Sequence, residues 1–228
     1  PSIYQVQTTA CRGVQKGSSK SLAIVNEVLY YKAPLAVCAY DGSLPREISG
    51  PLGEVYYTDA IAGGHGNKYF ISMSDSDGVY SMFVYDAAKG MWHKEDTTQA
   101  REFCVCREKL YYIDSNGKIK YFSGNDSDPI PWALETGIMG TDSPDQKYIS
   151  KLTLRLAMEP GSRMEVYAQY DSDNQWVPVA SITAKILRSF TLPVRPRRCD
   201  HLRLKMEGVG QMKLFSIAKT IEQGSDVS

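Results

Sequence analysis

Carboxylates at alternate loop positions recur three times, as Asp75 with Asp77, Asp126 with Asp128, and Asp171 with Asp173 and Asn174. Such spacing can gather oxygen ligands for Ca²⁺, which takes roughly six to eight of them. None of the three loops has EF-hand spacing with its distal glutamate, and Asp and Asn favour turns on their own account by accepting hydrogen bonds from nearby backbone N–H groups. The sequence therefore assigns no metal ligand and no cofactor-binding residue, and the expected cofactor complement is none. The cysteines Cys11, Cys38, Cys104, Cys106 and Cys199 offer no zinc knuckle, because Cys104 and Cys106 are one residue apart and no second pair exists. They read as reduced, mostly buried thiols. For catalysis there is no Gly-x-Ser-x-Gly elbow, phosphate-binding glycine loop or His-Glu-x-x-His motif. His65, within Gly63-Gly64-His65-Gly66, reads as part of a flexible loop. No catalytic residue is assigned, and the chain is expected not to be an enzyme.

Two other groups of residues could bind something. Lys185–Lys205 holds seven cations against the single acid Asp200. Arg195, Arg197 and Arg198, flanking Pro196, are the expected partner contact, suited to phosphates or to an acidic neighbouring subunit. With Phe190 as the one interleaved aromatic and a formal net charge of zero, nucleic acid is argued against. Tryptophans such as Trp92 and Trp176 would stack on sugar rings if they faced solvent.

The elements that must carry these residues are strands. The 228 residues have an ordinary globular composition, 43% apolar and 23% charged, and no apolar run approaches the roughly 18 residues of a membrane span. Of the 15 tyrosines, 12 precede residue 137, and charge follows the same division: 13 basic and 16 acidic residues in 1–137, 13 and 10 in 138–228. Two domains are expected, 1–137 and 138–228, with Pro129–Asp145 as the linker or domain edge.

The first domain repeats. Leu22–Tyr31 lies over Phe103–Tyr112 without a gap, and each is followed by a turn, a second apolar stretch (Val37–Tyr40, Ile119–Phe122) and a glycine; a middle copy fits Lys68–Ile71 and Phe83–Asp86. Asn116-Gly117 and Asp77-Gly78 supply the positive φ that tight hairpins need. Adjacent aromatics such as Tyr30-Tyr31 and Tyr111-Tyr112 point to opposite faces of a strand, so such strands must be covered on both faces. Short four-stranded sheets stacked face to face are the blades of a β-propeller. Strands are predicted near 22–25, 28–32, 37–40 and 46–49; 55–61, 68–74, 79–86 and 91–95; and 102–106, 109–114, 119–122 and 130–133. Three blades do not close a ring, so the chain is expected to be part of a longer propeller or to be completed by another subunit.

From Lys151 the alternation is cleaner: Leu152, Leu154, Leu156 and Met158, then Met164, Val166, Ala168 and Tyr170, then Leu202, Leu204 and Met206. Period two means one buried and one wet face, and six to eight such strands in about 90 residues predict a β-sandwich. The fold class is all-β: propeller-like four-stranded antiparallel blades followed by a β-sandwich.

Pro193–Arg203, Gly208–Ala218 and Glu222–Ser225 resemble the carboxy-terminal part of structural proteins encoded by bacteriophages and prophages, and Cys11–Lys20 with Tyr40-Asp41-Gly42 resembles the propeller portion of the same proteins. The resemblance implies a non-enzymatic virion protein of the tail or head–tail junction. Such a protein would be made in the bacterial cytoplasm and would work in particle assembly through contacts with other virion subunits or further copies of itself. It identifies no functional residues. The alternative reading is a carbohydrate-binding or host-receptor-recognising module, and the third a glycosidase-like propeller, since propellers host glycosidases whose carboxylates come from different blades.

Overall fold

The computed structural model describes residues 11–122, 130–140, 147–185, 188–194, 199 and 201–223. The chain is all-β and divides into two compact units, Pro1–Gly124 and Asn125–Ser228. In the first unit, β1 (Ala23–Val25), β2 (Val28–Lys32), β3 (Val37–Tyr40) and β4 (Arg46–Glu47) form one sheet in chain order. The second sheet is β5 (Thr58–His65), β6 (Lys68–Ser74), β7 (Tyr80–Asp86) and β8 (Met91–Asp96), also in chain order. The third, β9 (Ala100–Cys106), β10 (Lys109–Asp114) and β11 (Ile119–Tyr121), has three described strands. All neighbours within these sheets are antiparallel, so each sheet is a propeller-like meander blade.

The hairpin chemistry follows the sequence. At Asp75–Val79 and Asp114–Lys118 the glycine takes positive φ (Gly78 79°, Gly117 78°). In each loop the aspartate Oδ1 accepts two backbone N–H bonds, from Asp77 and Val79 in the first, from Asn116 and Lys118 in the second. These bonds, the one from Lys118 foremost, hold the Asp114 carboxyl below its ordinary range. The acidic loops of the first unit are thus hairpin devices.

The blades stack. Val25, Tyr30, Val37 and Ala39 of the first sheet share a buried core with Ala62, Tyr69, Ile71, Phe83 and Tyr85 of the second. On the other face of the second sheet, Phe70, Met82 and Val84 pack with Ala100, Leu110, Phe103 and Tyr112 of the third. From Tyr69 to Ser74 every residue of β6 is buried, which is what a strand covered on both faces requires.

Gly63 and Gly64, expected in a flexible loop with His65, lie instead within β5 and make this stacking close. A Cβ on Gly63 would stand 2.6 Å from Phe103 Cβ of the third sheet, and one on Gly64 would stand 2.8 Å from Val25 Cγ2 and 3.0 Å from the Ile24 carbonyl of the first. Adjacent residues of a strand face opposite ways, so the two glycines admit one neighbouring sheet each.

The second unit holds β12 (Pro131–Glu135), β13 (Lys147–Met158), β14 (Arg163–Tyr170), β15 (Val177–Thr183), β16 (Arg188–Val194), β17 (Leu202–Val209) and β18 (Met212–Gln223). Its two sheets run in the orders β12-β17-β14-β15 and β16-β13-β18. Leu152, Leu154, Leu156 and Met158 of β13 meet Met164, Val166, Ala168, Leu202, Leu204 and Met206 in one core, the filling of a β-sandwich.

The expected boundary at 137/138 is corrected to 124/125. The strand expected to complete the third blade, near 130–133, is β12, and it pairs with β17 through Trp132↔Gly208 and Leu134↔Met206. The move carries Asp126, Asp128 and Glu135 across, so each unit holds 13 basic and 13 acidic residues. The charge asymmetry disappears, and with it the support it lent to an acidic neighbouring subunit.

The expectation of mostly buried thiols is corrected as well, since Cys11, Cys104 and Cys106 are exposed while Cys38 and Cys199 are buried. Closeness at Gly63 is testable: Gly63→Ala should destabilise the first unit by about 1–3 kcal/mol, as overpacking does. Gly137→Ala, with nothing within 4 Å of the added Cβ, should stay within about 0.5 kcal/mol of the parent in urea denaturation.

Candidate functional site

Alternation in β14 and β17 sends Met164, Val166, Ala168, Leu202, Leu204 and Met206 inward. It leaves Arg163, Glu165 and Tyr167, with Arg203, Lys205 and Glu207, on the sheet's outer face. Register then sets the rows. Tyr167 lies opposite Lys205, and Lys205 opposite Glu135; Glu165 lies opposite Glu207, and Ser181 opposite Glu165. From the loop between β14 and β15, Trp176 reaches the same face.

The side chains form a connected series. Lys205 Nζ lies 5.1 Å from the Tyr167 ring centre and 5.3 Å from that of Trp176, and it pairs with Glu207 Oε1 at 2.8 Å. The Arg203 guanidinium sits 5.9 Å from the Trp176 ring and donates to Glu135 Oε2 at 3.2 Å and, through Nε, to the Thr136 carbonyl at 3.4 Å. Tyr167 Oη donates to Glu165 Oε2, and that bond, with desolvation and the neighbouring acids, raises the phenol above its ordinary pKa. Cations held beside aromatic faces gain from the ring quadrupole and hold the rings in turn.

Beside this series lies an open groove of about 720 Å³, lined by Glu165, Glu207, Arg163, Ser181, Thr183 and Trp132 among others. Trp132 packs closely on Gly208, where a Cβ would stand 2.4 Å from its Cζ2, and its Nε1 donates to the Gly210 carbonyl at 2.8 Å. Three carboxylates (Glu135, Glu165, Glu207) balance three cations (Arg163, Arg203, Lys205), so the face carries donors and acceptors in near-equal number and no net charge.

At one end Ser172 Oγ and His201 Nε2 lie 2.8 Å apart, tying the β14–β15 loop to the start of β17. Asp171 takes part in the same tie, its N–H donating to the His201 carbonyl at 3.0 Å. Both Asp171 and Ser172 have positive φ (48° and 56°). Asp173 Oδ1 accepts the Gln175 N–H at 3.0 Å, so this acidic loop, like those of the first unit, uses carboxylates to shape a turn. Among the described residues no group of three or more His, Cys, Asp or Glu could hold a metal ion.

Of the residues nominated from sequence, Trp176 is at the site. Trp92 is not: its ring packs 5.0 Å from Tyr85 and its Nε1 donates to the Ile48 carbonyl at 2.7 Å, joining the core of the first unit. Arg195, Arg197, Arg198, Asp126 and Asp128 lie outside the described residues. Sequence reasoning placed Arg203 and Lys205 in a basic run but missed that Glu135, Glu165 and Glu207 neutralise them. The available signal was the outward set Glu165-x-Tyr167 and Arg203-x-Lys205-x-Glu207, a wet face bearing charge and aromatic together.

No family model matches the chain, and no curated protein sequence matches it. Among solved structures, it is similar to an exo-β-1,3-galactanase from Phanerochaete chrysosporium with β-1,3-galactotriose, at 9% identity over 82% of this chain and a TM-score of 0.27. It is also similar to a glycoside hydrolase family 43 arabinoxylan arabinofuranohydrolase from Bacillus subtilis in complex with cellotetraose, at 8% identity over 82% of this chain and 60% of that one, TM-score 0.23. A third likeness is to a structure described as "CBM4 structure and function", at 13% identity over 55% of this chain and 77% of that one, TM-score 0.21. The chain spans 65% of the length of the galactanase. At these TM-scores the likenesses give no residue of this chain a role, and the site is read from the chain's own residues.

Two expectations are corrected here. The matched structures are glycoside hydrolases and a carbohydrate-binding protein, with no virion component among those named, so the assembly role is set aside. The exclusion of enzymatic activity is set aside with it, because hydrolases stand among the same structures.

The first unit also holds an amine with altered chemistry. Lys32 is buried, its Nζ donating to the carbonyls of Ala33 at 2.6 Å and Pro34 at 3.3 Å. Burial lowers its pKa to about 8. The adjoining cavity, about 20 Å³, has room for about one water and for no substrate, so this amine is a structural group. Between pH 8 and 10.5 the unfolded chain binds more protons at Lys32 than the folded one does, so its contribution to stability rises with pH across that window. The stability difference between the parent and Lys32→Met, followed by urea denaturation from pH 7 to 10.5, should therefore move in the parent's favour by about 1–3 kcal/mol.

Proposed function

We propose that the outer face of the β12-β17-β14-β15 sheet binds a neutral carbohydrate chain, making this a glycan-binding protein. The observation that carries the reading is the charge-balanced series Glu165–Tyr167–Lys205–Trp176–Arg203–Glu135 beside an open groove. A sugar presents hydroxyls that both donate and accept, together with C–H faces that pack on aromatic rings. Carboxylates, a guanidinium and an ammonium already held by partners match the hydroxyls, and the Tyr167 and Trp176 rings match the apolar faces. A face with no net charge has no basis for selecting phosphate, nucleic acid or a strongly acidic glycan.

Affinity electrophoresis and calorimetry against neutral polysaccharides, β-1,3-linked galactans and xylans included, test the reading. Binding should be present in the parent and about tenfold weaker in Trp176→Ala, and it should change little with salt. A parent that binds none of the panel overturns the reading. Reducing-end release assayed on the same glycans, and lost in Glu165→Gln or Glu207→Gln, would make the site hydrolytic: these two carboxylates face each other across adjacent strands.

A further inference from the structure

Trp132 lines two grooves of the second unit. One is the groove with Glu165 and Glu207; the other is an open cavity of about 530 Å³ lined by Ala157, Met158, Glu159, Gln211, Lys213 and Phe215 among others. They flank the β17–β18 turn, with Val209 on the wall of the first and Gly210 on the wall of the second. All lining residues of both belong to Asn125–Ser228, so the pair is built within one unit. Register orders the approach along the strands: Tyr167 with Lys205, then Glu165 with Glu207, then Arg163 with Val209, and then the turn. From Lys205 to Val209 is about 13 Å of strand, longer than a single sugar ring.

A fault in the register makes the second groove aromatic. Arg155 pairs with Ser216 and Leu156 with Leu214, which leaves Phe215 as the extra residue of a bulge in β18. A bulge re-aims the side chain it carries. Leu214 and Ile217 on either side pack against the sandwich core, whereas Phe215 is 60% exposed. Ala157, opposite Lys213 on β13, contributes only a methyl group to the lining. Glu159 and Lys213 balance in charge, and the Gln211 amide both donates and accepts. The second groove thus repeats the chemistry of the first, an aromatic ring among balanced polar groups. At the join Trp132 offers only its ring, because its N–H is spent on the Gly210 carbonyl.

We propose that the second groove is a further subsite for the same neutral glycan, so that this unit binds an oligosaccharide running from the Tyr167–Trp176 series past Trp132 to Phe215. The proposal rests on the carbohydrate reading of the outer face and adds to it a length requirement. Each groove alone falls in the range of roughly 300–1,000 Å³ that holds one small ligand, so a short sugar fills one and a chain is needed to fill both. Once its first sugars are held beside Tyr167 and Trp176, the rest of the chain meets Phe215 at the high effective concentration of a tethered ligand. Phe215 therefore contributes to the binding of long chains and not of short ones.

Calorimetry of the full chain with ladders of xylo-oligosaccharides and β-1,3-galacto-oligosaccharides, from about two to about eight sugars, tests the length requirement. In the parent, affinity for the long members of the ladder that binds should exceed that for the short ones at least tenfold. Phe215→Ala should remove most of that gain and leave short members bound as in the parent, whereas Trp176→Ala should weaken both. Ala157→Leu, which fills the same groove from the facing strand, is the second variant and should act as Phe215→Ala does. Both variants should keep the parent's circular dichroism spectrum. Equal affinity for short and long members, or a length gain that survives both variants, overturns the proposal while leaving the carbohydrate reading intact. A parent that binds no member of either ladder overturns both.

Discussion

Everything in the first unit follows from strands that are apolar on both sides. A sheet whose central strand has no wet face is stable only between two others, and the second sheet of this chain meets that demand with Tyr69 and Ile71 on one side and Phe70 on the other. Two such coverings bring three sheets together, and on β5 there is no room for side chains on both faces. Gly63 and Gly64 resolve this by presenting bare backbone to Phe103 and Val25 in turn.

The second unit solves the opposite problem. Its strands β13, β14 and β17 bury one side only, and two sheets close on Leu152, Leu154, Leu156, Leu202 and Leu204 as one core. The outer faces are then released from packing, and what stands there is decided by register. Because Tyr167 falls opposite Lys205, and Lys205 opposite Glu135, a ring and an ion-paired ammonium come to lie side by side. A one-residue slip would turn these groups inward and abolish both the core and the site. The same alternation therefore makes the fold and positions the candidate chemistry.

Local chemistry was legible in the sequence and long-range pairing was not. β2, β3, β6 and β10 fall where hairpin turns and alternating aromatics put them, since Asp114, Gly117 and their counterparts act within a few residues of themselves. β12 was recognisable as a strand, but nothing within Pro131–Glu135 says that its partner is β17, some 75 residues further on. Assigning it to the nearest blade misplaced the boundary and created a charge imbalance that the structure dissolves. The candidate site was hidden for the same reason: Glu135, Glu165, Trp176 and Lys205 come from three strands and a loop, and the basic run around Lys205 looked unopposed because its acids lie elsewhere in the chain.

The tyrosines show why residue counts mislead about ligands. The first unit is rich in them, yet Tyr69 is fully buried with its Oη donating to the Ser21 carbonyl at 2.7 Å, and burial raises its pKa well above the ordinary value. Tyr30 is likewise raised chiefly by burial, and Tyr31 Oη donates to the Arg12 carbonyl. These rings are packing units whose hydroxyls find backbone acceptors, as buried phenols must. Tyr167 differs in kind: burial is not the leading influence on it, its hydroxyl answers a carboxylate, and its ring faces an ammonium. A ring held by charged neighbours beside an open groove is available to a ligand in a way that a ring held by other rings is not. The one outward-facing tyrosine of the charged sheet thus says more about binding than the many of the stacked ones.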